Sequence, residues 1–269
     1  MDPSQCSLNS VTIRGTGLDE VTALAEKFGF GGVGLWRDIL DGHDLAQYSR
    51  NIADRGLRVS SVCRGGMFPH ADAAGRRAAH EDNHRAVDQA RDLNADCLVL
   101  VCGAAVGRDL IGGRAQIFDG IAELEPYARE AGVRLAIEPM HPMMASTRSA
   151  ITSLREANDI AEKIDSPHVG IALDSYHVWW DDTFPEEVAR AEDSIFSVQL
   201  ADWATPINDE LTSRAMPGDG CIDLTAFMGT TPGYRGLVEV EVLSSFWWSQ
   251  PAADAVEAAV RGLRRVTQP

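Results

Sequence analysis

The sequence predicts a single (β/α)₈ barrel, an α/β fold that forms one domain over residues 1–269. Apolar, β-branched segments alternate with longer helical patterns along the whole chain. Eight such strand-and-helix units in 269 residues match the length and rhythm of this barrel. A doubly wound open sheet would need fewer units, and no GxGxxG motif follows the first strand.

Strands are predicted where short β-branched runs are bounded by turn residues, and helices where apolar residues recur every three or four positions. Glycine and proline mark several boundaries, among them Gly29, Gly56, Gly132 and Pro167. Between strands seven and eight, only a short helix at 224–228 is expected. The predicted strands are 7–13, 32–36, 57–63, 97–103, 133–138, 168–174, 194–202 and 236–242. The longer helices are 18–28, 43–55, 74–93, 115–130, 149–163, 185–192 and 252–264.

The charge of the chain argues against several kinds of partner. Its formal net charge is −16 and its pI is near 4.7. Such a field repels phosphate backbones and anionic lipid headgroups, so we expect no nucleic acid and no membrane as partner. The five cysteines are scattered without a CxxC motif and predict free thiols. The N-terminus lacks the basic and apolar regions of a secretory signal, which predicts a cytoplasmic protein.

Four consecutive predicted strands carry a carboxylate or an amide near their ends. Alternate residues of a strand face opposite sides of a sheet, and the neighbours of these four residues are apolar. We therefore expect all four side chains to point into the barrel at its C-terminal rim, where such barrels place catalytic groups. They are Glu138 on strand five, Asp174 on strand six, Gln199 on strand seven and Glu241 on strand eight.

This convergence predicts a metal site. Adjacent strands lie about 4.8 Å apart, and crowded carboxylates raise each other's pKa unless a cation neutralises them. Oxygen donors without a thiolate favour a hard divalent ion, Mn²⁺ or Mg²⁺, with Co²⁺ as a further candidate. Glu239 shares the parity of Glu241 but lies a layer deeper, and is interpreted as a structural partner of an arginine. Asp202 lies beyond its strand, where capping a turn is an equal interpretation.

A set of motifs spread along nearly the whole chain adds a family resemblance. They are LAIEPMHPM, ALDSYHVWW, VQLADW, RAMPGDGCIDL and GYRGLVEVEVLS, with LWRD and CRGG in the N-terminal half. In this order and spacing they resemble the sugar phosphate isomerase/epimerase family, the xylose isomerase-like TIM barrels. The resemblance implies four ligands of a divalent metal: Glu138, Asp174, Gln199 and Glu241.

The resemblance also implies roles in catalysis and substrate binding. The two glutamates would flank the substrate as acid and base, while His177 and Arg214 match positions that hold substrate oxygens. Gln199 departs from the pattern, because many members place a histidine there. Hydroxypyruvate isomerases carry a similar strand, so Gln199 is kept as a ligand.

The chemistry implied is proton abstraction next to a carbonyl, as in a sugar or cyclitol isomerase or epimerase. A metal bound to the carbonyl and the adjacent hydroxyl would stabilise the developing enediolate. One glutamate would remove the α proton and the other would return one. With a leaving group β to the carbonyl, the same enolate would expel it and the enzyme would be a lyase. His141, three residues after Glu138, would then act as an extra acid or base.

Aromatic and basic residues after the strands are candidates for substrate contacts. Trp36 and Trp180 fall near the predicted rim, where an indole can stack on the C–H face of a sugar. Loop packing is the competing explanation for both. Arg37, Arg64 and Arg214 are the basic residues at strand ends. They form no compact phosphate motif, so a small-molecule substrate without a phosphate is predicted.

Other functions and assemblies stay open. Some relatives with EPMHP, YHVWW and GDGxID are metal-dependent lyases that cleave C-glycosides after oxidation at the sugar 3-position. A lyase of this kind, either a C-glycoside deglycosidase with a small β-rich partner subunit or a dehydratase, is the first alternative. A homo-oligomer is the other assembly considered. The second alternative is a binding module whose metal site has decayed at Gln199. An endonuclease of the related barrel type would need a basic groove, which the charge of −16 opposes.

Overall fold

The chain forms a closed parallel barrel in a computed structural model that describes residues 1–266. The strands follow one another around the barrel in chain order, and the last strand pairs with the first. The predicted single (β/α)₈ barrel is therefore confirmed. The strands are β1 Cys6–Asn9, β2 Gly32–Trp36, β3 Arg58–Gly66, β4 Leu98–Val101, β5 Leu135–Ile137, β6 Val169–Asp174, β7 Ile195–Leu200 and β8 Val238–Val240.

The helices come between the strands in the chain. They are α1 Leu18–Lys27, α2 Leu45–Asp54, α3 Ala73–Asp92, α4 Leu110–Glu130, α5 Leu154–Ile164, α6 Ser175–Val178, α7 Phe184–Ala191, α8 Leu224–Gly229, α9 Ser245–Trp248 and α10 Ala252–Leu263. In α4 the side chains of Ile117, Ile121 and Leu124 are fully buried, at the spacing of one helix face. Burying one such side chain contributes about 1.5–3 kcal/mol. This apolar layer between helices and strands leaves the strand ends free for polar groups.

Most predicted boundaries differ from the observed ones by a few residues, and the three largest differences each have a local reason. The first strand ends at Asn9 because the Asn9 side chain accepts the N–H of Val11 and starts a 3₁₀ turn. Helix α4 begins at Leu110, earlier than predicted, because Asp109 caps it. Helix α5 begins at Leu154 and not at residue 149, because Ser153 caps it and the preceding segment runs alongside the end of β4.

Two expectations from composition can be compared with the fold. Of the five cysteines, four are buried and Cys221 is exposed, and all are free thiols. Within residues 1–266, none of the helices has both the length and the apolar character needed to cross a bilayer.

Candidate metal and catalytic site

A small cavity of about 10 Å³ lies at the C-terminal ends of the strands. Glu138 directly follows β5, Asp174 ends β6 and Glu241 directly follows β8. All three carboxylates are buried, with at most 3% of the residue exposed. Among the residues that line the cavity are Trp36, Cys63, Glu138, Arg148, His177, Arg214 and Glu241.

The end of β6 explains how an aspartate and a histidine three residues apart reach the same cavity. Asp174 Oδ1 accepts the N–H of Tyr176 at 2.9 Å, which caps the short helix α6. This first turn places the His177 ring beside Asp174, with Nε2 at 3.6 Å from Asp174 Oδ2. The second carboxylate oxygen of Asp174 thus remains available to other groups in the site.

Burial and mutual repulsion raise the pKa values of the carboxyl groups. Burial, with the carboxylates of Glu241 and Asp174, raises the pKa of Glu138 well above its usual range. Burial raises the pKa of Glu241 to about 7, against the opposing effect of Arg214, and also raises the pKa of Asp174. Three buried carboxyl groups with raised pKa values need protons or a cation to be stable together.

Arg214 supplies one positive charge to this group. Its Nη1 lies 2.7 Å from Asp174 Oδ2, 3.4 Å from Glu241 Oε2 and 3.1 Å from the backbone oxygen of Glu241. Its guanidinium also stacks over the ring of Tyr176, with 4.5 Å to the ring centroid. The charge of Arg148 also acts on Glu138, and two guanidinium groups leave one of the three carboxylate charges for a further cation.

His177 is a neutral imidazole that lies between two N–H donors. The backbone N–H of His141 points at His177 Nδ1 at 3.2 Å, and Arg214 Nη2 lies 3.0 Å from His177 Nε2. Burial holds the pKa of His177 well below its usual range. A neutral imidazole has one acceptor nitrogen, so only one of these two contacts is a hydrogen bond.

The interpretation of Glu239 as the partner of an arginine is wrong. Within residues 1–266 its carboxylate accepts hydrogen bonds from side-chain amides and hydroxyls. Gly34 faces it so closely that an added Cβ would lie 2.4 Å from the carboxylate. The layer beneath the site is too narrow for a guanidinium, and small polar residues supply the donors. They are Asn9 Nδ2 at 2.6 Å, Ser60 Oγ at 2.5 Å, Ser61 Oγ at 2.9 Å and Gln199 Nε2 at 3.3 Å.

The Glu239 contact determines which way the Gln199 amide faces. An ionised carboxylate only accepts hydrogen bonds, so the amide must turn its NH₂ group toward Glu239. Its Oε1 is buried and has no hydrogen-bond partner within the described residues, as is also true of Glu138 Oε1. Within the described residues, the cluster whose ligand atoms lie within 4.8 Å of one another consists of Glu138, Asp174 and His177 and does not include Glu241. Unpartnered oxygens beside buried carboxylates fit a hard divalent cation.

The other predicted residues lie on the rim of the site. Trp36 Nε1 donates to Glu241 Oε1 at 3.2 Å, and Trp180 Nε1 donates to the backbone oxygen of His177 at 2.7 Å. The His141 ring lies against the rings of Trp180 and Trp203, and burial lowers its pKa. Arg64 is half-buried on β3 beside Cys63, which lines the cavity.

Two residues of the site were missed by the sequence analysis. Asn9 ends β1 and donates to Glu241 Oε1 at 3.1 Å, so applying the strand-end rule to the first strand would have found it. Arg148 lines the cavity from the loop after β5, ten positions beyond Glu138. Because it does not lie at a strand end, no sequence pattern of that kind indicates its role. Asp202 caps a loop, since it accepts the backbone N–H groups of Gly218 and Ile222.

Comparison with known families and curated proteins bears on this site. The family model described as xylose isomerase-like TIM barrel matches residues 22–266. A 3-dehydroshikimate dehydratase from Pseudomonas aeruginosa is 29% identical over 94% of this chain. The chain spans 40% of the length of that dehydratase. An inosose isomerase from Bacillus velezensis is 24% identical and is matched over 94% of this chain and 93% of its own length.

Solved structures show the same barrel. Protein SMc04130 from Sinorhizobium meliloti 1021 superposes with a TM-score of 0.95 and 40% identity, over 98% of this chain and 99% of its own. The IolI protein, solved with a binding zinc atom, has a TM-score of 0.83 and 20% identity, over 97% of each chain. At 20% identity, the similarity to the IolI protein shows a shared fold alone.

Proposed function

Because this chain belongs to the xylose isomerase-like TIM barrel family, we propose that it is a divalent-metal-dependent isomerase or epimerase of a sugar or cyclitol. One observation carries the proposal. Glu138 and Glu241, both buried and both with raised pKa values, line one cavity from strands that are not neighbours. Two carboxyl groups near a shared substrate can take and return a proton at neutral pH.

The metal would be held by Glu138, Asp174, Gln199 and Glu241, with Mn²⁺ as the first candidate. The support lies in the oxygen donors and in the two buried oxygens, Glu138 Oε1 and Gln199 Oε1, that have no partner in the described part of the chain. When bound, such an ion polarises a carbonyl and neutralises negative charge that develops on its oxygen. The inosose isomerase relative makes a cyclitol or sugar substrate a reasonable first choice.

The residues of the chain would divide the proton transfers between them. Glu241 Oε1 is held by Trp36 and Asn9, so Oε2 is the oxygen that would carry a proton to or from the substrate. Glu138 would serve the other proton transfer, at the carbon next to the carbonyl, through the carboxylate oxygen that does not bind the metal. His177, whose Nε2 lies 3.8 Å from Glu138 Oε1, would hold a substrate hydroxyl or carbonyl oxygen.

Around these groups, Arg214 would hold a second substrate oxygen once it leaves part of its present contact with Asp174. Trp180, exposed by 39%, would form part of the wall against which the substrate lies. Both roles are binding roles and move no proton.

A dehydratase is the second candidate, favoured by the dehydratase relative that matches 94% of this chain. Its first step is the same removal of a proton next to a carbonyl, followed by loss of a β hydroxyl as water. His141 lies beside His177 at the rim, where it could protonate the leaving hydroxyl. A product that has lost water would distinguish this reaction from isomerisation.

Metal content and proton exchange test the proposal. We expect about one Mn²⁺ per chain, a rise in melting temperature on adding Mn²⁺ to the stripped protein, and loss of that rise in Asp174→Ala. Keto sugars and keto cyclitols incubated in D₂O should exchange their α proton only with the metal-loaded protein. Asp182→Ala, an exposed aspartate near the same rim, is the matched control. Equal Mn²⁺ response in Asp174→Ala and wild type would reject the site.

A further inference from the structure

Two arginines, one in the cavity wall and one near it, have side chains without a protein partner. Across residues 1–266, Arg64 and Arg148 make no side-chain hydrogen bond and no ion pair, and the Nε of Arg148 is buried. Both residues are half-buried. The other arginines that lack such contacts are all exposed, so water can hydrate them: Arg14, Arg77, Arg108, Arg155 and Arg264.

Their position places both charges on one side of the site. Arg148 lines the cavity together with Glu138, and its loop is held by a bridge between Ser149 and Gly103 at the end of β4. Arg64 follows Cys63 on β3 and lies near enough for its charge to act on Arg148. Arg214 reaches the site from the loop after β7 and is already bound to Asp174.

The two neighbouring guanidinium charges are electrostatically unfavourable without a bound anion. Burial and the neighbouring charge of Arg64 lower the pKa of the Arg148 guanidinium. A buried N–H donor without an acceptor destabilises the folded chain. The opposing groups here are few, because Glu138 is the carboxylate whose charge acts on Arg148 and its own pKa is raised. An anionic group bound between the two arginines would satisfy their donors and relieve their repulsion.

We propose that Arg148 and Arg64 form a carboxylate subsite, and that the substrate is a hydroxylated keto acid and not a neutral sugar. The inference rests on the proposed function, since it names the substrate class of the same site. The planar fork of a guanidinium matches a carboxylate with two parallel hydrogen bonds. The substrate would thus lie with its carboxylate toward β3 and β5 and its reacting carbon toward Glu138 and Glu241.

A carboxylate fits this position better than a phosphate. Phosphate sites of such barrels lie in the loops after strands seven and eight, with backbone N–H groups at a helix N-terminus. Arg64 and Arg148 belong instead to β3 and to the loop after β5. The overall charge of −16 also repels anions in general, so local cations are required before any anion is held here.

Binding of matched cyclic polyols to the Mn²⁺-loaded protein tests the subsite. Isothermal titration calorimetry would compare quinate, which carries a carboxylate, with neutral myo-inositol. We expect quinate to bind wild type at least tenfold more tightly than myo-inositol. Arg148→Gln and Arg64→Gln should each weaken quinate binding by about tenfold to a hundredfold, the loss of a charge-assisted hydrogen bond. Arg148→Lys should recover part of the affinity, and exposed Arg155→Gln should match wild type.

Three results would overturn the subsite: equal binding of the two polyols, no quinate binding, or quinate affinity unchanged in a folded Arg148→Gln variant. A Mn²⁺ titration of Arg148→Gln confirms that the metal ligands are intact. Failure of the proposed reaction can be distinguished from failure of the subsite. In that case quinate binding would still depend on Arg148, but no metal-dependent proton exchange would occur. Proton exchange on neutral keto sugars that does not depend on Arg148 would support the proposed reaction and reject the carboxylate subsite.

Discussion

Replacing Glu241 with glutamine should flatten the pH dependence of stability in the metal-free protein. Burial raises the pKa of Glu241 from 4.5 to about 7 in the folded chain. A raised pKa means that the folded state binds the proton more tightly than the unfolded state. The resulting stabilisation is fully present below pH 4.5 and is lost as the pH rises to 7. At about 1.4 kcal/mol for each pH unit between these values, the loss comes to about 3 kcal/mol.

The assay is urea unfolding of wild type and Glu241→Gln at a series of pH values from 4.5 to 8, with EDTA present. The glutamine cannot titrate, and its Oε1 can still accept from Trp36 and Asn9, which are bonded to Glu241 Oε1. The free energy of unfolding of the variant relative to wild type should therefore rise by about 3 kcal/mol up to pH 7 and then stay level. This difference isolates Glu241 and its repulsion of Glu138. A difference that does not change with pH would refute the reasoning.

Further predictions concern the layer beneath the site and the loop after β7. Gly34→Ala should destabilise the fold by about 1–3 kcal/mol, because the new Cβ would lie 2.4 Å from the Glu239 carboxylate. Gly229→Ala has open space around its new Cβ and should not destabilise the fold. Chemical denaturation of both variants checks this. Glu239→Gln should weaken Mn²⁺ binding by about tenfold, since its amide lets Gln199 turn its NH₂ group toward the ion. Calorimetric affinity equal to wild type would contradict that orientation. Asp202→Ala should cost about 2–3 kcal/mol of unfolding free energy, because four backbone amides lose their acceptor. An unchanged urea midpoint would show that the loop does not depend on this cap.

The barrel could be predicted from the chain because its signals are local. Strand and helix periods repeat along the sequence, and β2 was predicted with the bounds it has. The boundaries that were wrong depend on caps and bridges. Segment 149–153 has a helical pattern, yet Ser149 pairs with Gly103, almost fifty residues earlier. Such a contact competes with local helix propensity and cannot be detected from a window of ten residues.

The positions of Glu138, Asp174 and Glu241 could also be predicted from the sequence, because strand parity and strand ends are properties of short segments. The same rule applies to Asn9 but was not applied to the first strand. The role of Glu239 was mistaken because its parity is visible in the sequence, whereas its partners come from three other strands.

The sequence alone therefore determined the fold and the set of carboxylates at the rim, since both follow from periodic patterns within single elements. Only the tertiary structure decided which way the Gln199 amide faces, that His177 lies between two N–H donors, and that Arg148 reaches the cavity without a partner. Each of these depends on donors and acceptors brought together from distant parts of the chain. Hydrogen bonding and burial in three dimensions, which no local pattern encodes, determine them.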